Sequence, residues 1–67
     1  MSMTRRADLE RTRRISEELK EVSDELIAAD SDFNEAVDPD LIESLIYLRC
    51  SLRAKYSFLI KQLRSSK

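Results

Sequence analysis

Glycine and histidine are absent from the 67 residues, and proline and cysteine occur once each. Without glycine, the tight hairpin turns of small β proteins lose the residue that reaches positive φ at no steric cost. Without histidine, the commonest general base and the commonest neutral metal ligand are both missing. The lone Cys50 closes no internal disulfide and has no second thiol to share a zinc site. We therefore expect no metal and no cofactor. Uncharged runs are short: Ser44 to Leu48 falls far below the roughly 20 apolar residues that span a membrane. The opening MSMTRRADLERTRR is basic but has no apolar stretch behind it, which argues against a secretory signal. These absences predict a cytoplasmic protein with no membrane contact and no evident small-molecule substrate.

What the chain does have is leucine, isoleucine and charge. Hydrophobic residues make up 42% and charged residues 37%, and their spacing is helical, so we expect an all-α fold. The length allows a single domain, residues 1–67, in the size range where one core is marginal. Ile15, Leu19, Val22, Leu26, Ala29, Phe33 and Ala36 alternate steps of four and three, a seam of coiled-coil type. Glu17, Glu18, Glu21, Asp24 and Glu25 fall between them, on a solvated face. The first helix is predicted over about 5–35, with Asn34 the candidate for a left-handed C-terminal residue.

Val37-Asp38-Pro39-Asp40 breaks the pattern. Proline disfavours helix at the residue before it and suits the first helical position itself. Asp38 is placed to cap the second helix and Asp40 to complement its positive end. Val37 and Ile42 are spaced for a hydrophobic staple. A turn of about 36–38 and a second helix of about 39–64 give an antiparallel two-helix hairpin. A kinked continuous helix is the competing arrangement.

At about 100° per residue, Leu41, Ile42, Leu48, Leu52, Tyr56, Leu59, Ile60 and Leu63 cluster around Leu45 as one stripe. That stripe is the expected partner of the first seam. Ile46, Tyr47, Cys50, Ser51, Ala54 and Phe58 are left near the opposite side. Tyr47, Ser51, Ala54 and Phe58 form a second stripe, near-symmetric about the point between Leu52 and Arg53. Two copies crossing antiparallel there would set Tyr47 against Phe58 and Ser51 against Ala54. We therefore expect homodimerisation into a four-helix bundle, with these six residues as the interface. Cys50 is read as a structural residue of that interface. Its neighbour Arg49 is cationic, but the mid-helix position offers no base to make the thiol a nucleophile.

Charge is unevenly spread. Residues 1–14 hold five Arg and two acids, residues 15–43 hold eleven acids and Lys20, and residues 44–67 hold six basic residues and no acid. A hairpin therefore has a basic end and an acidic turn end. Glu21, Asp24 and Glu25 are expected beside Arg49, Arg53 and Lys55 in weak exposed pairs. Asp30, Asp32 and Glu35 oppose the dipole at the end of the first helix, which invites a basic neighbour. The basic end (Arg5, Arg6, Arg11, Arg13, Arg14, Arg53, Lys61, Arg64 and Lys67) supports an alternative reading, binding of nucleic acid or an acidic partner. The acidic pI of about 5.4 and the lack of a recognition-helix pattern weigh against nucleic acid.

VDPDLIESLIYLRCSLRAKYSFLIKQLR resembles the YaaL-like proteins, a bacterial family of unknown function. Val37, Pro39, the Leu45–Tyr47–Leu48 cluster and Ala54-Lys55-Tyr56-Ser57-Phe58-Leu59 carry the likeness, and Arg49-Cys50-Ser51 departs from it. The resemblance implies a short helical protein and transfers no catalytic residues. The Spo0E-like aspartyl-phosphate phosphatases, also short hairpins, are the less favoured enzyme alternative. Their Ser-x-x-Leu-Asp motif needs an acid that Ser44-Leu45-Ile46-Tyr47-Leu48 lacks, and Ser51 to Lys55 fails too. The sequence thus points to a non-enzymatic helical module for protein–protein interaction.

Overall fold

The computed structural model describes residues 2–65, with side chains from residue 6 onward. The side chain of Arg5 and all of Lys67 lie outside that range. Two helices make up the described chain, α1 (Ser2–Glu35) and α2 (Pro39–Ser65), and among the described residues there is no strand. They lie antiparallel, since Arg11 reaches Gln62 near the open end and Asp30 reaches Arg49 near the turn. The kinked continuous helix is thereby excluded.

The core is a thin line. Ile15, Val22 and Ala29 of α1 are buried, as are Leu45, Leu52 and Leu59 of α2, each set repeating every seventh residue. Leu19, Leu26 and Leu63 pack against the side of this line. A strict seven-residue spacing keeps one narrow edge of each helix facing the other. The stripe expected on α2 is correspondingly too wide. Leu41, Leu48 and Tyr56 are exposed, and Ile42, Ile60 and Leu63 are only half-buried. A single partner helix covers the seam positions and cannot reach around to residues flanking them.

The resulting shape is a rod of 56 × 15 × 12 Å. Its radius of gyration is 16.0 Å, against about 11 Å for a compact domain of this length. Its accessible surface is 5695 Å², where a compact monomer of the same mass exposes roughly 4400 Å².

At the turn, the start of α2 is capped by Asp38. The backbone N–H groups of Asp40 and Leu41 donate to its Oδ1 at 2.8 and 3.3 Å, and Ile42 N–H donates to its carbonyl at 3.0 Å. Two N–H groups otherwise left without a helical acceptor are satisfied this way. Asp38→Ala is expected to cost about 1 kcal/mol, read as a lowered thermal midpoint. An unchanged midpoint would mean the cap contributes nothing.

Two local expectations are corrected here. Val37 is 88% exposed, so it makes no staple with Ile42. The short link must cross the roughly 8–10 Å between helix axes, and Ala36 and Ile42 turn inward while Val37 faces water. Asn34 is not left-handed either, because no described non-glycine residue has positive φ. Instead α1 stays helical to Glu35 and closes with Ala36 N–H on the Phe33 carbonyl at 3.3 Å, a tighter final turn.

Candidate interaction surface

The cross-helix charge pairing also differs from expectation. Arg49 is half-buried one turn after Leu45, on the edge that faces α1, and its Nε lies 2.7 Å from Asp30 Oδ1. That nitrogen is closed off from solvent and has no aligned acceptor, so the contact is a charge pair rather than a linear hydrogen bond. The guanidinium also lies 5.3 Å from the centroid of the Phe33 ring, within cation–π range. Asp24 pairs along its own helix with Lys20 at 3.6 Å, and no ion pair joins Glu21 or Glu25 to α2 among the described residues. For Arg49 the cause is register, since the short turn brings it level with Asp30, whereas Arg53 and Lys55, nearer the mid-helix acids in level, are exposed and keep their charges in water.

A polar residue at one seam position fixes register at some cost in stability. Asp30→Ala is accordingly expected to destabilise the hairpin by about 1 kcal/mol, because it leaves the partly buried Arg49 side chain without its partner. Arg49→Leu removes both charge and desolvation and is expected to be neutral or stabilising. Denaturant unfolding of the two variants checks this. An Arg49→Leu chain less stable than Asp30→Ala would contradict it.

Outside the seam, α2 presents large apolar side chains to solvent. Tyr47 is 69% and Phe58 58% exposed, with Ile46 and Leu48 near half. Ser51, Ala54 and Cys50 are exposed as well. All six residues expected at an interface are therefore at the surface, but they do not share one concavity. Ile46 and Cys50 line a shallow depression with Arg49 and Arg53. Phe58 lies on the other flank, at an open groove of about 520 Å³ with Ala7, Arg11, Arg14 and Ile15. A smaller groove of about 290 Å³ lies at the turn end, between Asp32, Glu35 and Ala36 of the α1 side and Leu41 and Leu45 of α2. These grooves were not legible in the sequence, because each is made by residues of both helices.

The two charge ends form, except that Arg53, counted with the basic end, lies midway along α2 beside Cys50. Arg6, Arg11, Arg13, Arg14, Lys61 and Arg64 are all exposed at the open end, and Asp32, Glu35, Asp38, Asp40 and Glu43 at the turn end. Among the described residues there is no group of three His, Cys, Asp or Glu that would hold a metal ion. No described helix is long and apolar enough to cross a membrane.

A model of the family described as "Protein of unknown function (DUF2508)" matches residues 3–67. No curated protein and no solved structure matches the chain.

Proposed function

Because the chain belongs to this family, DUF2508, whose description assigns no activity, we propose its role from its surface: a small non-enzymatic helical module that self-associates through the outer face of α2. The YaaL-like likeness of α2 is part of the same reading, since Leu45–Leu48 and Ala54–Leu59 that carry it include the exposed apolar residues. The observation that carries the proposal is the run of exposed large side chains, Tyr47 and Phe58 above all, on a helix whose opposite edge is already paired. Scattered surface apolar residues need no explanation, but several on one face of one helix do. Ser51 and Ala54 lie midway along that face and leave room for a second helix to approach.

The excess of accessible surface over a compact monomer is about 1300 Å². A standard interface removes about 800 Å² from each partner, so one association is of the right size to absorb much of it. Two hairpins in contact through α2 give a four-helix bundle. Sedimentation velocity on wild type and Ala54→Glu tests the reading. Wild type is expected to sediment as a dimer and the variant as a monomer.

A second reading rests on the six exposed cations at the open end. Binding of nucleic acid there would weaken steeply with added salt, in proportion to the phosphates contacted, whereas apolar self-association would not.

A further inference from the structure

The two grooves lie on the same flank of the hairpin and carry opposite charge. The heptad places Arg11 and Asp32 at equivalent positions three repeats apart, and Arg14 and Glu35 likewise. The open-end groove holds Arg11, Arg14 and the Phe58 ring; the turn-end groove holds Asp32, Glu35 and Leu41. Each groove thus combines paired like charges with an exposed apolar side chain, and the two are complementary to one another.

The positions of the grooves match a two-fold axis. The outer stripe of α2 is symmetric about the Leu52–Arg53 midpoint. Counting inward from the Arg11–Gln62 and Asp30–Arg49 contacts at the two ends of the hairpin, that midpoint lies level with the turn of α1 around Val22–Asp24. Arg11 and Glu35 are equally distant from Ser23 along α1, and Arg14 and Asp32 likewise. One axis therefore relates Tyr47 to Phe58 on α2 and also brings each copy's arginine pair to the other's acidic pair.

We infer that the occupant of both grooves is a second copy of this chain, docked antiparallel so that each basic groove receives the acidic turn end of its partner. The inference rests on the self-association reading and adds its orientation and its electrostatic lock. Glu18 sits at the inner rim of the basic groove, and Glu21 and Glu25 lie level with the axis. Those acids keep the two copies of α1 apart at the centre. The middle of the contact is thus left to Ser51 and Ala54 of α2, with charge pairing confined to the ends. The same arrangement supplies a positive neighbour to Asp32 and Glu35, which sit at the unfavourable end of the α1 dipole and make no ion pair among the described residues.

A charge swap tests this directly. The variants Arg11→Glu/Arg14→Glu and Asp32→Arg/Glu35→Arg each place like charges at both grooves of a homodimer. Each alone is expected to dimerise at least about tenfold more weakly than wild type, the order of cost of like-charge contact across an interface. An equimolar mixture restores complementarity at both grooves of the mixed dimer and is expected to recover association to within about threefold of wild type. Circular dichroism establishes that each chain is helical, and Arg14→Glu with Asp32→Arg serves as the milder pair if a double variant is not. Variants that associate like wild type would overturn the inference, as would a mixture no tighter than either variant alone. Either result leaves the α2 contact standing if Ala54→Glu still dissociates the dimer. A wild type that is itself monomeric removes both.

Discussion

Leu52→Ala is expected to unfold most of the protein at room temperature. Leu52 is 6% exposed and lies at the centre of the buried line, in one cluster with Val22 and Leu59. Truncating a buried leucine costs about 2–5 kcal/mol, part from lost transfer and part from the cavity left behind. A single core in a chain this short rarely supplies more than about 3–5 kcal/mol in total. The substitution therefore removes an amount comparable to the whole stability. Alanine is the best helix former, so the loss is one of packing and not of helical propensity. Far-ultraviolet circular dichroism reads the result. Ile27→Ala, at a position of α1 that is 66% exposed and lines neither groove, is the control and is expected to stay within about 0.5 kcal/mol of wild type. Equal effects of the two substitutions would mean that the seven-residue line is not the core.

Ala54→Glu is expected to have the second largest effect, and on association rather than on the seam. Ala54 is exposed and faces away from α1, so a glutamate there meets only water in a lone hairpin. Glutamate also ranks among the good helix formers, which leaves α2 intact. In an antiparallel dimer centred between Leu52 and Arg53, the same carboxylate sits close to the axis and faces Ser51 of the partner, and a second carboxylate enters by symmetry. Two charges are then buried without partners at a helix–helix contact. The expected loss is several kcal/mol of association free energy, or more than about a hundredfold in dissociation constant. Because binding and folding are linked, the thermal midpoint of wild type should rise with protein concentration, and that of the variant should not. A variant that melts and sediments like wild type would show that the dimer contact lies elsewhere.

The sequence made the broad architecture readable because its signals are local. The four-and-three spacing from Ile15 to Ala36 survives in the structure as the α1 seam, and Asp38-Pro39 begins α2 with the capping contacts expected of it. What it did not reveal depends on distances between the helices. A wheel drawn around Leu45 assigns Leu41, Leu48 and Tyr56 to the core, because it measures angle and not the width of the partner. Only the paired helices show that one neighbour covers one edge. The partner of Arg49 likewise depended on register, which the turn sets and the charge pattern does not. Val37 illustrates the limit at the turn itself: its spacing to Ile42 fits a staple, yet the link needs its length to cross between axes and leaves Val37 in water.

Sequence alone also could not divide the outer residues of α2 between two flanks. Ile46 and Cys50 fall beside Arg49 and Arg53, while Phe58 falls beside Arg11 and Arg14. That division matters for function. It gives the α2 face a central strip of small residues with different chemistry on either side, and it ties Phe58 to the basic end.

Self-association is the claim on which the functional account stands, and sedimentation equilibrium of the wild-type chain across the micromolar range tests it most directly. The account predicts a single species of twice the 7.8 kDa chain mass, giving way to monomer only on dilution. A fully helical species of one chain mass at every concentration would contradict it.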